Sequence, residues 1–479
     1  MSRHSFAPFA IGDLLDIVPG ARLTGAPVTI SGITQDSRHV RADDMYCCVR
    51  GEFHDGHDFV EEAVANGAVA LLVDRDVTVS DASVAVMRVD DVRASLGTVA
   101  SAVSGHPSRA LTVVGVTGTN GKTSTTAMIA AILSAAGHRV ESIGTLTQAR
   151  TTPEAIELQA MLAGFVADSV THVVMEVSSH ALSLHRVSGI AFDVAVFTNL
   201  GRDHLDFHGT QEAYFAAKAS LFTPELAARG VVNLDDPHGR LLFDAAPIPM
   251  TGFSRSDATG IVVGLDACMF DWRGTDVRVP QGGSFTVMNA LAAATTAEVL
   301  GVSPSMVTEG LSRLAPVAGR FQSIPNDRGI GVVVDYAHTP EGIEEVVASA
   351  RNLATGRVLL VFGCGGDRDK GKRVLMGRAA AQSADIVVVT SDNPRSEDPD
   401  RIIEEIMAGM PEDARAEVQR EPDRRAAVTS AISQAKHGDI VVLAGKGHES
   451  TQEVAGVFVP FSDVEAAREA LGQEGGAPT

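Results

Sequence analysis

An α/β fold of three domains is predicted for this chain of 479 residues by three observations. Short apolar runs of strand length alternate with helical stretches through its second and third parts, the pattern of mostly parallel sheets covered by helices. A glycine-rich turn around Gly118 joins one such strand to one such helix. The length exceeds what a single hydrophobic core supports and fits about three domains of ordinary size. The expected division is 1–107 for an N-terminal α/β domain, 108–318 for a central domain and 319–479 for a C-terminal Rossmann-like domain.

In the first domain, residues 28–33, 45–49, 68–73 and 84–89 read as strands, and 104–108, Ser-Gly-His-Pro-Ser, reads as a linker. Leu111, Val113, Val114 and Val116 then read as a buried strand and residues 124–135 as the helix after it. Further strands are expected at 172–177, 194–199 and 230–234 in the central domain, and at 330–335, 358–362, 386–390 and 440–443 in the third. Residues 472–479 read as a disordered tail.

Residues 115–123, Gly-Val-Thr-Gly-Thr-Asn-Gly-Lys-Thr, carry the strongest chemical signal. A glycine turn from strand to helix points backbone N–H groups and the positive end of the helix dipole at an anion. Gly118, Thr119, Asn120, Gly121, Lys122, Thr123 and Ser124 are therefore candidates for holding a nucleoside triphosphate. Lys122 would reach the β- and γ-phosphates, and the Thr123 hydroxyl would ligate magnesium. The glycines fall at Gly115, Gly118 and Gly121, with Val116 where the common phosphate loop has its first glycine. An ordinary glycine turn is the competing reading, which the strand before it and the helix after it disfavour.

Glu176 ends an apolar strand, where ligands collect in open α/β sheets, and a carboxylate there can bind magnesium. Residues 199–208, Asn-Leu-Gly-Arg-Asp-His-Leu-Asp-Phe-His, crowd ionisable groups after the next strand, His204 among them. Lys218 is flanked by apolar residues on a helical stretch, and its plainest reading is a surface lysine whose stem covers hydrophobic area.

Composition narrows the classes. A formal net charge of -21 argues against a nucleic-acid binder, which needs a basic face. Cys47 and Cys48 are adjacent while Cys268 and Cys364 stand alone, so neither a disulfide framework nor a zinc spacing is present. That pattern fits a reducing cytoplasm. No secretion-signal core opens the chain and no apolar run is long enough to cross a bilayer, so an intracellular enzyme without membrane insertion is expected.

Several motifs in one order give the chain a close resemblance to the Mur ligases, the ATP-dependent amide-bond-forming family of bacterial cell-wall peptidoglycan synthesis. They are Asp36-Ser37-Arg38, the glycine loop, Glu176-Val177-Ser178-Ser179-His180, residues 199–206, Asp335-Tyr336-Ala337-His338 and Gly445-Lys446-Gly447-His448-Glu449. The resemblance implies an N-terminal UDP-binding domain, a central ATP-binding domain and a C-terminal amino-acid-binding domain. It implies two magnesium ions, with Thr123 and Glu176 at one and His204 at the other. Lys218 matches the family's carbamylated lysine, in which carbon dioxide turns a cation into a carboxylate that helps hold the second ion. Lys122, Glu176, His204 and Lys218 are thus the implied catalytic set, and Asn289, Arg320 and Asp335 the implied later contacts to ATP.

Within the family, Asp36-Ser37-Arg38, residues 150–154 and Asp392-Asn393-Pro394-Arg395 are similar to members that extend UDP-MurNAc-L-alanyl-D-glutamate, and the last box to those that use meso-diaminopimelate. Ser37 is then implied at the UDP end, Thr151, Thr152, Ser178 and Arg186 at the muramoyl-dipeptide. Arg368, Asp392, Asn393, Pro394, Arg395, Gly445 and Glu449 are implied at the incoming amino acid, in a chain that acts as a monomer. Leu184 and Thr286 depart from the pattern, and the stretches 144–150 and 253–285 look short, which suggests trimmed hairpins. An L-lysine-adding ligase, a relative with another acceptor, and a P-loop phosphotransferase or ATP-driven switch remain the alternatives.

Overall fold

The structure, a computed structural model, describes residues 3–473 apart from 52, 412 and 415; of the tail read as disordered, 474–479 lie outside the described residues. In the first sheet, Thr29–Thr34, Asp44–Cys47, Ala68–Val73 and Ala85–Arg88 run parallel in that order. Antiparallel strands His4–Ala10 and Arg22–Thr24 close its two edges. The sequence reading missed both edges. One is interrupted by Pro8 and largely exposed, the other has three residues, and neither carries the apolar run that marks a buried strand.

The segment read as a linker is a packed junction. Pro107 and Ser108 are buried in the turn Pro107–Ala110, and the Ser108 hydroxyl accepts from the Ala191 N–H at 3.1 Å. Ala155 and Ile156, which open helix Ala155–Ala167, join the apolar core under the first sheet. Gly97, in helix Val92–Val103, lies so close to the Ser188 carbonyl that a β-carbon would collide with it.

The central sheet is wholly parallel, in the order Met250–Phe253, Gly230–Asn233, Val194–Phe197, Thr112–Thr117, His172–Glu176, Val140–Ile143. The chain leaves Thr112–Thr117 toward one edge and Val194–Phe197 toward the other. Their carboxyl ends therefore form a topological switch point, the place where such sheets bind ligands. Helix Lys122–Ala135 starts there and packs on helix Phe285–Val299, whose buried alanines Ala290, Ala293, Ala294 and Ala297 permit close approach. The stretch read as shortened holds a three-stranded antiparallel meander, Ala258–Val263, Cys268–Trp272 and Thr275–Val279, with Trp272 buried against the central core. Residues 144–150 form a turn.

In the third sheet the parallel order is Gly331–Asp335, Ile440–Ala444, Val358–Phe362, Ile386–Val389, Glu417–Arg420, with Gln322–Ser323 antiparallel at one edge. A hairpin, Thr451–Val454 with Val457–Pro460, follows. Among the described residues, no helix is long and apolar enough to cross a membrane.

Beyond the carboxyl ends of this sheet the fully buried Arg373 guanidinium binds Glu397 at 2.9 Å and Glu405 at 2.8 Å. The hydrogen bond from Arg373 holds the Glu397 carboxyl down at about 2, against an ordinary value of 4.5. A folded-state value below the unfolded one means that the pair stabilises fully above about pH 4.5 and that this is lost as pH falls toward 2. Glu397→Gln is expected to lower the melting temperature at pH 7, with the gap to the unaltered protein closing below about pH 3. A gap that stays constant from pH 7 to pH 2.5 would count against the pair.

Candidate active site

The phosphate loop is shaped by two left-handed glycines, Gly118 at φ 147° and Gly121 at φ 84°. A β-carbon at Gly118 would strike the Thr198 hydroxyl and one at Gly121 the Asn289 amide, so both positions exclude side chains on backbone and on space. The Asn120 N–H donates to Asn199 Oδ1 at 2.9 Å, and Thr119 Oγ1 shares a 3.1 Å hydrogen bond with the Tyr214 hydroxyl. Ser124 is buried in the first turn of the helix.

Two lysines from distant parts of the chain converge on this loop. Lys122 Nζ donates to Gly118 O and Thr119 O, both at 2.9 Å, and Lys218 Nζ donates to the same Gly118 O at 2.7 Å. Lys218 is 1% exposed, so it is not the surface lysine that its flanking residues suggested. Its ammonium lies 4.5 Å from the centre of the Tyr214 ring. Burial, and secondly the charge of Lys122, hold the Lys218 amine well below its ordinary value, and burial also lowers that of Lys122. Protonating both amines around one carbonyl in a desolvated site is costly, which favours a neutral, nucleophilic Lys218.

Glu176 lies at the mouth of the loop. It accepts from Thr123 Oγ1 at 3.1 Å, from the Thr145 N–H at 2.9 Å and from Thr145 Oγ1 at 3.3 Å. A hydroxyl and a carboxylate side by side suit a hard divalent cation. Among the described residues no group of three or more His, Cys, Asp or Glu could hold a metal by itself. Open donor sets of this kind fit magnesium, which takes few protein ligands and completes its shell with phosphate oxygens and water.

His204 stands in a left-handed turn at φ 54°, its ring edge-on to that of His180 at 4.6 Å between centres. Burial chiefly pushes it down to about 3, so its imidazole is neutral near pH 7 and able to act as a ligand.

Asp203, next to it, escaped the sequence reading as a separate site residue. Burial alone would raise its carboxyl, but the hydrogen bond from His338 and the charge of Lys372 hold it well below the carboxylate range. Its oxygens lie 3.4 Å from Lys372 Nζ and 3.4 Å from His338 Nε2, both in the third domain. Arg320 makes a second bridge between domains, donating from Nη2 to Thr123 Oγ1 at 3.0 Å while its guanidinium stacks 4.4 Å above the Tyr336 ring. Asp335 accepts from the Phe321 and Ala337 N–H groups at 2.7 Å each and thereby fixes the turn that carries Arg320.

Residues 119–124, Glu176, Asp203, His204, Lys218, Arg320 and Asp335 line one cavity of about 680 Å³ that also reaches Thr151, Ser178, Asn289 and Arg368. Thr152 sits just behind, its hydroxyl donating to Glu176 O at 2.9 Å and accepting from the Ser178 N–H at 3.1 Å. Arg186 donates to Thr152 O at 3.2 Å and pairs with Glu154 at 2.8 Å. Ser37 lies away from this cavity in the first domain, its hydroxyl donating to Glu62 at 3.0 Å.

The third-domain candidates form their own cluster. Asn393 Nδ2 donates to Glu449 Oε2 at 2.7 Å, and the fully buried Lys446 amine donates to Asn393 Oδ1 at 3.1 Å and Glu449 Oε2 at 2.9 Å. Lys446 stands in a quoted motif but was not singled out from sequence. Asp392 Oδ1 is buried without a hydrogen-bond partner, 3.7 Å from Lys446 Nζ. Pro394 leads into Arg395, whose φ is 51°; its Nη1 donates to Gly366 O at 2.6 Å and its Nε lies 3.4 Å from Glu453. Gly445 has φ 108° and sits against Asp392.

Comparisons with known proteins agree along the chain. Residues 29–104 match the Mur ligase family catalytic domain, 116–297 the Mur ligase middle domain and 319–447 the Mur ligase glutamate ligase domain. A protein of Syntrophomonas wolfei named UDP-N-acetylmuramoyl-L-alanyl-D-glutamate--2,6-diaminopimelate ligase is 42% identical over 463 residues, covering 92% of this chain and 94% of its own. One of the same name from Streptomyces avermitilis is 41% identical over 494 residues, covering 95% of each. A solved structure of an enzyme of that name is similar with a TM-score of 0.67 at 33% identity, covering 97% of this chain and 99% of the other.

Proposed function

The chain belongs to the Mur ligase family, and from that premise we propose that it joins meso-diaminopimelate to the D-glutamate of UDP-MurNAc-L-Ala-D-Glu at the expense of ATP. The observation that carries the reading is the likeness, along nearly the whole chain, to proteins named for that reaction. The side-chain geometry supports it.

In the first half-reaction the γ-carboxylate of D-glutamate attacks the γ-phosphorus of ATP, giving an acyl phosphate and ADP. In the second the amine attacks the acyl carbon, and the tetrahedral intermediate expels phosphate. Most of the catalysis is positioning and charge neutralisation. Residues 118–124 would cradle the triphosphate, Lys122 turning from its loop carbonyls to the γ-phosphate and Arg320 approaching it from the third domain. Asn289, packed against Gly121, would stand near the adenine and Asp335 near the ribose.

Magnesium at Thr123 and Glu176, and a second ion at His204 and a Lys218 carbamate, would supply the positive charge that the transferring phosphoryl group requires. A carbamate suits Lys218 because it would set an anion beside the Lys122 ammonium, where a second ammonium on the same carbonyl would be repelled. Thr151, Thr152, Ser178 and Arg186 would orient the muramoyl-dipeptide and Ser37 would help hold the UDP end. Arg368, residues 392–395, Gly445 and Glu449 would hold the amino acid. Asp203 would keep the third domain against the phosphate loop through Lys372 and His338.

Phosphate release with ATP, magnesium and UDP-MurNAc-L-Ala-D-Glu is expected with meso-diaminopimelate, to be far weaker with L-lysine, and to stop without an amine. Equal release with lysine would refute the amine assignment. Release that ignores every amine would point to a phosphotransferase or a switch.

A further inference from the structure

Arg424 and Asp463 lie outside every motif named above, yet both side chains are completely buried. Each opens a helix, Arg424–Gln434 and Asp463–Ala470. They form a two-point ion pair, Nε to Oδ1 at 2.8 Å and Nη2 to Oδ2 at 2.7 Å. The same guanidinium also donates to Ala444 O at 2.8 Å and to Ser391 O at 3.3 Å.

Those carbonyls stand at the roots of two loops, Ser391 directly before Asp392 and Ala444 directly before Gly445. The strands that deliver them, Ile386–Val389 and Ile440–Ala444, are not neighbours, since Val358–Phe362 lies between them. No ladder hydrogen bond therefore fixes one loop root against the other. The Arg424 guanidinium joins the two roots directly, and above it Asn393 accepts from Lys446 at 3.1 Å and donates to Glu449 at 2.7 Å across the gap, with Gln452 Nε2 donating to Asp392 O at 2.6 Å.

We infer that Arg424, held by Asp463, is a positioning residue that sets the spacing of the two loops that grip the incoming amino acid, an inference that rests on the function proposed above. A buried ion pair that only stabilised the fold could be replaced by apolar residues with little loss. What such residues cannot supply is donors aimed at two carbonyls at once. Lysine fails for a different reason, because its one nitrogen lacks the planar fork by which Arg424 reaches Ser391 O and Ala444 O from separate nitrogens while holding Asp463 at two points.

The test compares the double variant Arg424→Met with Asp463→Leu, the single variant Arg424→Lys, and a control, Arg357→Gln. Arg357 pairs with Asp439 at 2.7 Å at the opposite, amino end of the same sheet. ADP formation is titrated with meso-diaminopimelate and with ATP, and each protein is melted. The KM for the amino acid is expected to rise about tenfold or more in the Arg424 variants, with that for ATP within about twofold, the split expected of a misplaced amino-acid contact. The control is expected to melt lower with both KM values unchanged. A folded variant of either kind that keeps the amino-acid KM within about twofold of the unaltered protein overturns the inference, as does an equal rise in both constants. The lysine variant keeps the charge pair and so decides the question if the double variant does not fold. Failure of the function proposed above looks different, since the unaltered protein would then form ADP without requiring the amino acid.

Discussion

Lys218→Ala is expected to lower turnover about a thousandfold, and formate or acetate to restore a measurable part of it. The reasoning begins with burial. Lys218 is 1% exposed, its amine bonds to Gly118 O, one of the two carbonyls that Lys122 uses, and it has no carboxylate within ion-pair distance among the described residues. A lysine so placed gives up its proton readily, and a neutral amine is the form that adds carbon dioxide. The carbamate would be an anion beside Lys122, in a cavity that His204 also lines and where the polyphosphate and its cations have to be held. Alanine removes that anion and leaves a gap near the Gly118 carbonyl into which a small carboxylate fits. Full activity in the variant, without any response to added carboxylate, would falsify the carbamate assignment. A second check is independent of activity, since the intact protein sprayed gently in bicarbonate buffer should carry one extra carbon dioxide, absent from the variant.

How much of this was legible in the sequence depends on whether a group's partners are local. The phosphate loop was readable because strand, glycines and helix are contiguous, and residues 118–124 lie where that pattern predicts. The four inner strands of the central sheet were readable because strands buried on both faces are apolar throughout, whereas its edges, Val140–Ile143 and Met250–Phe253, were not among the strands expected. The edge strand His4–Ala10 was not, since an exposed edge needs no such pattern.

Lys218 shows the same limit at the level of a side chain. Alanines and an aromatic flank a surface lysine as well as a buried one, and only the approach of Gly118, a hundred residues earlier, distinguishes them. Asp203 read as one charge in a crowded turn, yet its partners Lys372 and His338 come from another domain. Arg424 carried no signal at all, because the two carbonyls that it joins belong to strands that are not adjacent. The resemblance to the Mur ligases supplied roles for matched residues and was silent on the supports beneath them. For Ser37 the structure adds a competing local partner, the Glu62 carboxylate, which a nucleotide contact would have to share or displace.

Arg395→Ala is expected to lower kcat/KM for meso-diaminopimelate about a hundredfold while ATP binding stays within about twofold, because losing hydrogen bonds to a charged group in a partly buried site costs about 1.5–3 kcal/mol. Arg395 is held for this role by backbone and side chain together. Its N–H donates to Glu453 O at 3.0 Å, its φ of 51° turns the chain sharply, and Nη1 is tied to Gly366 O at 2.6 Å. The guanidinium is thus fixed before any ligand arrives, and a fixed fork is the donor best matched to a carboxylate. Diaminopimelate carries a distal carboxylate and lysine does not, so lysine would leave the remaining donors of a half-buried guanidinium, beyond those turned to Gly366 O and Glu453, without an acceptor. The penalty for such a group is about 1–3 kcal/mol or more, roughly ten- to a hundredfold in rate. Removing the arginine should therefore hurt diaminopimelate and spare lysine, narrowing the ratio between the two. If Arg395→Ala left that ratio as it was, specificity would have to come from Asn393, Lys446 and Glu449, whose mutual hydrogen bonds of 2.7 to 3.1 Å form the other wall of the cluster.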